Sequence, residues 1–353
     1  MKVSVLGAGA IGSMIGGLIK HHHPGFDVTL IVRGDHGRAL ADSGSVRLDG
    51  PWGVRHVPVA TSEDPADVAG SDFVLVTVKS HDTEEAIRQI APYLGKAIVI
   101  SVQNGDNHDA LIRFVANQRL VMGVTAMNMA IPQPGRVSLQ FEGSIVVGLV
   151  PDGSIAGSVR QAAELLRKSD LQIIESPNVR GVQYNKLAIN ALGYASCLSA
   201  SNFITEAVCH RPWRTAIGLP ILAECIAIFD KAGILLDKVP GAPDLGKLRQ
   251  FLHLLDLPLI GAVVAFGAKR VYNKKPIVFS LYQDLYRGKA TEVDHINGHI
   301  VQLARANGID APHNELVADM VHELERREAA SFFDREEVIE RFGALRRPDP
   351  QAA

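Results

Sequence analysis

Two polar residues within an apolar segment, Lys186 and Asn190, have the spacing of residues that act together. They lie four positions apart in NKLAIN, so a helix places them on one face. A lysine surrounded by leucine, isoleucine and alanine loses hydration, which lowers the pKa of its ammonium group and suits it to donate a proton. The alternative is a lysine whose stem packs while its amine reaches water, and the pattern favours neither.

Four further polar residues interrupt apolar segments. Lys79 follows FVLVTV and Asn104 follows AIVIS, so each stands where a strand-like run ends. Ser280 and Glu292 form a similar polar island in the second half of the chain. Ligands of parallel sheets bind at the carboxyl ends of the strands. These residues are therefore candidates for contact with a substrate or cofactor.

The opening residues, MKVSVLGAGAIG, indicate a dinucleotide. An apolar run leads directly into three glycines and then into a helix of small residues. In a dinucleotide-binding turn the first glycine permits the bend, the second lets the main chain approach a pyrophosphate, and the third lets the helix pack on the sheet. An ordinary glycine-rich turn is the alternative. The predicted phosphate-binding residues are Gly7, Ala8, Gly9, Ala10, Ile11 and Gly12.

Arg33 indicates which dinucleotide is bound. It follows the second strand-like run, at the place where NAD-binding chains carry an acid that holds the ribose 2′-hydroxyl. A guanidinium group pairs with a 2′-phosphate instead, so the sequence predicts NADP(H) as cofactor. Asp35 stands two positions further on and keeps NAD(H) as the alternative.

The elements that must position these residues alternate between strand and helix in the first half. This alternation predicts an α/β fold with a doubly wound parallel sheet, and residues 45–48 and 54–59 predict a hairpin. Helical patterning dominates after position 182. We therefore predict a dinucleotide-binding domain at residues 1–178, a mostly helical domain at 179–330 and an extension at 331–353 with a disordered end at 346–353.

Composition restricts the class of protein. The 353 residues are 47% hydrophobic and 21% charged, with a net charge of −2, which is ordinary for a globular protein and favours neither nucleic acid nor membrane as a partner. No uncharged run reaches the ~18 residues of a membrane span. Three cysteines without metal-ligand spacing, and no cleavable leader before the first strand, predict a cytoplasmic protein.

Six blocks resemble, in order and spacing, the ketopantoate reductase (2-dehydropantoate 2-reductase) family. The resemblance covers residues 1 to about 325. It implies a Rossmann-type domain joined to a helical domain, with NADPH reducing the ketone of a 2-oxo acid, 2-dehydropantoate, to pantoate in the cleft between them. The blocks are GAGAIG, Arg33, VTVKSHDTEEAI, SVQNGDN, NKLAIN and SLYQDLYRGKATEVDHINGHIV.

The resemblance also implies catalytic roles. Lys186 matches the family's lysine that donates a proton to the substrate carbonyl oxygen, and Glu292 matches its glutamate that contacts the substrate hydroxyl and the catalytic centre. These roles fit the chemistry, since reduction of a ketone creates an alkoxide that an ammonium group stabilises and then protonates. A lysine can supply the charge of a Lewis acid, so no metal is predicted.

Binding roles follow in the same way. Ser280 matches the substrate-binding serine, while Asn190 and Asn104 match asparagines of the cleft. Lys79 matches a lysine near the cofactor and the entering substrate. Asn104 and Glu292 are also expected to contact the cofactor.

Tyr194 departs from the family pattern, which commonly has a second asparagine four positions after the first. A phenol keeps a hydrogen-bond donor but adds bulk, so the pocket is expected to be reshaped. The segment at 240–276 is also long. A larger or aromatic 2-oxo acid is therefore the alternative substrate, and a non-catalytic NADP(H) sensor is a third possibility.

The remaining expectations concern assembly and the last helix. A homodimer is predicted because two-fold dimers are the commonest assemblies. His313, Asn314 and His322 lie on or beside a long amphipathic helix near the end of the chain, where a role on the helix surface is expected.

Overall fold

The computed structural model describes residues 1–150, 156–242, 244–272 and 277–345, without the side chains at 258, 260, 269 and 272. The described chain forms two compact units. The first contains Met1–Gln183 and Asp237–Ala242, and the second contains Tyr184–Leu236 and the described residues after 243. The division therefore falls five residues after the predicted boundary, and a short later segment returns to the first unit because Val239 is buried in its apolar core.

The first unit has an α/β architecture, as the sequence predicts. An eight-stranded sheet has the order β12-β11-β8-β7-β6-β1-β2-β5, and a separate four-stranded sheet has the order β4-β3-β10-β9. The strands are β1 Lys2–Leu6, β2 Asp27–Ile31, β3 Ser45–Gly50, β4 Gly53–Pro58, β5 Ala60–Ser62, β6 Phe73–Val76, β7 Ile98–Ser101, β8 Leu120–Thr125, β9 Asn128–Gln133, β10 Arg136–Phe141, β11 Ser144–Gly148 and β12 Gln172–Glu175.

The large sheet is parallel except where β11 runs antiparallel to β8. Its central strands are continuous apolar runs because helices cover both faces. Residues of α1 and α5 pack on one face, and residues of α3 pack on the other. The helices of this unit are α1 Ala10–His22, α2 Gly34–Ser43, α3 Thr83–Ile90, α4 His108–Leu111 and α5 Gly157–Arg167.

The small sheet contains the predicted hairpin, formed by β3 and β4 in antiparallel register. Its third strand, β10, lies about 90 residues further along the chain and pairs with β3 in parallel. Asp49 on β3 forms ion pairs with Arg47 and with Arg136 of β10. This long-range pairing depends on tertiary charge contacts, which local patterning does not reveal.

The second unit is helical and has one large apolar core. It extends beyond the predicted limit at 330, because Val338 and Phe342 of the last helix are fully buried. The expected disorder at 346–353 lies outside the described residues. After α6 Val179–Cys197, which spans the division between the units, the helices are α7 Arg211–Trp213, α8 Leu219–Lys231, α9 Leu245–Leu254, α10 Pro258–Tyr272, α11 Ser280–Tyr286, α12 Val293–Ala306, α13 Pro312–Glu325 and α14 Arg335–Ala344.

One helical stretch, Arg211–Lys231, has the length and composition of a membrane span, which the sequence analysis did not anticipate. It has 21 residues and a mean hydropathy of 1.3, and 56% of its most apolar window is buried within the protein. Ile217, Ile221 and Phe229 of this stretch are fully buried in the core of the second unit. A core helix has these same properties, so the stretch is weak support for a membrane protein.

Candidate active site

The glycine turn has the backbone geometry that a dinucleotide requires. Gly7 has a φ of +93°, and a Cβ atom there would lie 2.6 Å from the amide nitrogen of Val78. A Cβ atom at Gly12 would lie 2.4 Å from Oγ1 of Thr77 and 2.8 Å from Cγ1 of Val5. Gly9, by contrast, has no described heavy atom within 4 Å of its notional Cβ. The turn therefore needs glycine for its own packing at two positions and leaves open space at the third.

The helix that follows this turn can receive an anion. Helix α1 begins at Ala10, its first turn holds no acidic residue, and no side chain of the described residues caps it. Its first N–H groups point out of the helix end without intrahelical partners. Phosphate groups bind at such helix N-termini, so the turn and α1 fit the pyrophosphate of a dinucleotide.

A series of hydrogen bonds connects the glycine turn to Gly135, which lies between β9 and β10 of the small sheet. The N–H group of Gly135 donates to Nδ1 of His36 at 3.0 Å, so the ring proton is on Nε2. That nitrogen donates to Oγ of Ser13 at 3.2 Å, and Ser13 donates to the carbonyl oxygen of Ala8 at 3.0 Å. The sequence analysis missed His36 and Ser13, since their partners are distant in the chain.

Arg33 lies at the start of α2 with its guanidinium group largely exposed. It forms an ion pair with Asp82, and Asp35 pairs with Arg38. Exposed ion pairs contribute little free energy, so a phosphate dianion can displace Asp82 from Arg33. Asp35, the acid that keeps NAD(H) as the alternative cofactor, is paired with Arg38 and not with Arg33.

Lys79 and Asn104 stand in two loops at the carboxyl ends of β6 and β7, where the sequence predicts them. The carbonyl oxygen of Asn104 accepts hydrogen bonds from Oγ of Ser80 at 2.8 Å and from Nδ2 of Asn107 at 2.7 Å. Asn107 also donates to Ser80 at 3.2 Å. Ser80 and Asn107 therefore hold the backbone beside both candidates.

A second set of bonds joins the same loops. Nε2 of Gln103 donates to the carbonyl oxygen of Val78 at 2.8 Å and to Oγ1 of Thr83 at 2.7 Å. Oγ of Ser101 donates to Oε1 of Gln103 at 2.9 Å. The sequence analysis did not identify Ser80, Thr83 or Asn107. Their buried hydroxyl and amide groups, adjacent to strand ends, are the signal that could have found them.

Helix α6 carries Lys186, Asn190 and Tyr194 on one face, because they are spaced four apart. Its sequence is largely apolar, and most of its residues are buried. Burial lowers the pKa of Lys186 to about 8, and the carboxylate of Glu292 opposes part of this shift. Glu292 is buried at the start of α12. The structure thus brings Lys186 and Glu292 together within the second unit.

Tyr194 contacts a second predicted residue. Its hydroxyl group lies 3.2 Å from Oγ of Ser280, and its ring is almost completely buried. Burial and the nearby charge of Glu292 raise the pKa of Tyr194, so the phenol stays protonated. Ser280 opens α11 and is partly buried. Lys186, Tyr194, Ser280 and Glu292 therefore form one cluster.

Asn190 is the remaining predicted residue of this face. It is partly buried, and its side-chain amide makes no hydrogen bond within the described chain. An amide group with free donors and an acceptor can orient a polar ligand. Lys79 and Asn104 belong to the first unit, whereas Asn190 and the lysine cluster belong to the second.

The start of α12 is held by residues that the sequence analysis did not identify. The N–H group of Thr291 donates to Oε1 of Glu325 at 2.8 Å, and Oγ1 of Thr291 accepts the N–H of Val293 at 3.3 Å. Burial opposes the ionised form of Glu325, but hydrogen bonds from Thr291 and His322 lower its pKa. Glu292 stands between these two anchored residues and is fixed by them.

Two of the three residues expected on the surface of the last long helix are in fact buried or nearly so. Oε2 of Glu224 accepts the N–H and the Nδ2 amide of Asn314 at 3.0 and 2.8 Å, and Oε1 accepts the N–H of His313 at 2.8 Å. Asn314 is fully buried. This part of the expectation is wrong because Glu224, about 90 residues earlier, caps α13. His322 is more exposed and bonds Asp294 and Glu325.

Across the part of the chain that the structure describes, no group of three or more histidine, cysteine or acidic residues could hold a metal ion. Two of the three cysteines, Cys197 and Cys225, are buried, and burial raises the pKa of both thiols.

Known proteins similar to this chain share both of its units. Residues 3–152 match the family described as ketopantoate reductase PanE/ApbA, and residues 178–325 match its C-terminal part. The 2-dehydropantoate 2-reductase of Pyrococcus horikoshii is 29% identical over 325 residues, covering 91% of this chain and 96% of the relative. That of Archaeoglobus fulgidus is 29% identical over 327 residues, covering 92% and 98%.

Solved structures give the same result. A PanE/ApbA family ketopantoate reductase from Ralstonia eutropha JMP134 superposes with a TM-score of 0.72 at 28% identity, covering 92% of this chain and 98% of the other. A D-mandelate dehydrogenase solved with NADH and anilino(oxo)acetate has a TM-score of 0.74 at 21% identity, covering 92% and 98%. The similarity to the D-mandelate dehydrogenase shows a shared fold only.

The family and these relatives define an oxidoreductase that acts on CH–OH groups. The family descriptions together cover most of the sequence. The chain belongs to the ketopantoate reductase family.

Substitutions at Gly12 and Gly9 are expected to have separable effects on stability and on cofactor binding. Gly12→Ala is expected to lower the free energy of unfolding by about 1–3 kcal/mol, because its methyl group overlaps Thr77 and Val5. Gly9→Ala is expected to keep wild-type stability, since its methyl group meets no described atom. It is expected to weaken binding of the proposed cofactor about tenfold or more, because the methyl group enters the space where a pyrophosphate would approach the main chain. Chemical denaturation and fluorescence titration measure these effects. Equal loss of stability in both variants would contradict the geometry.

Proposed function

We propose that this enzyme reduces a 2-oxo acid to a 2-hydroxy acid with NADPH, and that 2-dehydropantoate is its substrate. The observation that carries the proposal is the lysine cluster of the second unit. Lys186 has a pKa of about 8 beside the buried carboxylate of Glu292. An ammonium group with this pKa is charged at neutral pH and gives up its proton readily.

The residues of the first unit fit the cofactor. The glycine turn and the N-terminus of α1 would hold the pyrophosphate, and Arg33 would pair with the 2′-phosphate. Lys79 and Asn104 would contact the nicotinamide half. When bound, the cofactor supplies the hydride for the reduction.

The residues of the second unit would supply the proton and orient the substrate. Lys186 would stabilise negative charge on the carbonyl oxygen and then protonate it. Glu292 keeps Lys186 charged by raising its pKa. The amide of Asn190 and the hydroxyl of Ser280 would fix the substrate acid in one orientation.

The enzyme is also proposed to be cytoplasmic. Its described cysteines are free thiols, and two of them are buried and unreactive. Free thiols are usual in a reducing compartment.

Replacement of Lys186 tests the proton-donor role. Lys186→Ala is expected to lower kcat for reduction about 10²–10⁴-fold while the NADPH dissociation constant stays near wild type. In the wild-type enzyme, kcat should fall as the pH rises through about 8, because Lys186 then loses its proton. Glu292→Gln should move this midpoint to lower pH, since the carboxylate raises the pKa of Lys186. Initial rates of NADPH oxidation across pH 6–10 measure the three effects on kcat, and fluorescence titration measures the NADPH dissociation constant.

Lys186→Arg is the matched control, because arginine keeps the positive charge but does not deprotonate in this range. It should show low activity without the decline near pH 8. If the decline persists in Lys186→Arg, another group titrates and Lys186 is not the donor.

The preference for NADPH is tested at Arg33. Arg33→Ala is expected to weaken NADPH binding about 10–100-fold, the usual loss for a charge-assisted bond to phosphate, and to leave NADH binding unchanged. Asp82→Ala is the control, since it removes the competing partner of Arg33 and should maintain or strengthen NADPH binding. Equal weakening of both cofactors in Arg33→Ala would rule out the 2′-phosphate contact.

A larger or aromatic 2-oxo acid is the second candidate substrate, and the Tyr194–Ser280 contact favours it. The phenol adds bulk and occupies one hydrogen-bonding site of Ser280. On this reading kcat/KM is higher for bulky 2-oxo acids than for 2-dehydropantoate, and Tyr194→Asn reverses the order while Tyr194→Phe does not. A steady-state panel of 2-oxo acids decides. A clear wild-type preference for 2-dehydropantoate rejects the second candidate.

A further inference from the structure

Gln183 is a buried polar residue of α6 that has no role in the proposed reaction. Its side chain is only 6% exposed. It lies three residues before Lys186 and seven before Asn190, so the helical repeat places it on the face that carries those two residues. A buried glutamine needs hydrogen-bond partners for its amide group. The partners of Gln183 therefore indicate what this position does.

The amide group of Gln183 donates to the loop that carries Asn104. Its Nε2 atom lies 2.6 Å from the carbonyl oxygen of Gly105, the residue directly after Asn104. A carbonyl oxygen only accepts hydrogen bonds, so this contact determines which end of the amide faces the loop. Gln183 and Gly105 are 78 residues apart in the chain, and both belong to the first unit.

Gly105 is the residue at which this loop bends. Its φ of +72° is a left-handed conformation that glycine adopts readily. The carbonyl oxygen just before the bend, that of Asn104, accepts the hydrogen bonds from Ser80 and Asn107 described above. Two successive carbonyl oxygens are thus held by different elements, the first by residues of the strand-end loops and the second by α6. The placement of Asn104 depends on both.

The other end of the Gln183 amide does not contribute to folding. Its Oε1 atom is buried and has no hydrogen-bond partner among the residues that the structure describes. Burying an amide oxygen without a partner costs free energy, which offsets the benefit of the bond to Gly105. An apolar side chain of the same length would remove both the bond and the unpaired oxygen. A glutamine here is therefore explained by placement of the loop and not by stability.

We propose that Gln183 is a positioning residue that holds the turn at Asn104 and Gly105 ready for the nicotinamide half of the cofactor. This inference rests on the proposed function, in which Asn104 contacts that half. Gln183 acts through the backbone of Gly105 and does not touch the reacting atoms. A loop that is fixed before its ligand arrives loses less conformational freedom on binding, so binding is stronger. The adenosine half, assigned to the glycine turn and Arg33, does not depend on Gln183.

Titration calorimetry with two ligands tests this role. Gln183→Met keeps the length of the side chain but cannot donate to Gly105. It is expected to weaken NADPH binding about 3–10-fold, the range for losing one neutral hydrogen bond. Binding of adenosine 2′,5′-bisphosphate, which lacks the nicotinamide half, should stay at the wild-type value. The midpoint of chemical denaturation should also stay near wild type, because the variant removes the unpaired oxygen together with the bond.

Two further variants serve as controls. Ser169→Ala also removes a buried hydrogen bond from a side chain to a carbonyl oxygen, that of Leu166 in α5, and it should bind both ligands like wild type. The double variant of Gln183→Met with Asn104→Ala should bind NADPH no more weakly than Asn104→Ala alone. Residues that act through one another have non-additive effects, so this result identifies Asn104 as the residue through which Gln183 acts.

Three results would overturn the proposal: unchanged NADPH binding in Gln183→Met, equal weakening of NADPH and adenosine 2′,5′-bisphosphate, or additive effects of the two substitutions. The same titrations with NADH and ADP separate this test from the proposed cofactor preference. If Arg33 does not select the 2′-phosphate, the difference between the whole cofactor and its adenosine half still appears with NADH. No 2-oxo acid is present, so an error in the proposed substrate leaves the result unaffected.

Discussion

The chemistry proposed for this enzyme depends on keeping one lysine partly out of water while leaving it charged. Removing an ammonium group from water costs several kcal/mol unless a partner compensates. The buried carboxylate of Glu292 supplies that partner, and the net result is a pKa of about 8 for Lys186. Such a balance needs a fixed geometry, which explains how much hydrogen bonding surrounds the start of α12.

Hydrogen bonds fix this geometry from several helices of the second unit. Glu325 holds the backbone before Glu292, and Glu224 caps α13. Asn297 of α12 donates to Asn314 at 3.0 Å and to the carbonyl oxygen of Ala191 at 3.4 Å, next to Asn190 on α6. Four helices are thereby joined through buried polar groups. The first unit meets a different requirement, since its glycine turn leaves open space at Gly9, where the phosphate of the proposed cofactor would lie.

Local chemistry made part of the structure predictable. Gly7, Gly12 and the alternation of strands and helices follow from short-range sterics and periodicity, and Lys186 stood out as a charge in an apolar helix. Contacts between distant segments escaped prediction. Glu224 binds residues about 90 positions later, Val239 returns to the first unit, and Arg214 is buried by the connection before α10. No periodic pattern records such pairings, because they depend on how the elements pack.

Direct titration of Lys186 tests the central claim most directly. Protein labelled with ¹³C at the lysine Cε, with Lys186→Arg to assign the signal, allows the pKa of this side chain to be followed by NMR without substrate. The account predicts a midpoint near 8, well below the ordinary lysine value of about 10.4. A midpoint at the ordinary value would show that Lys186 is fully hydrated and would contradict its assignment as the proton donor.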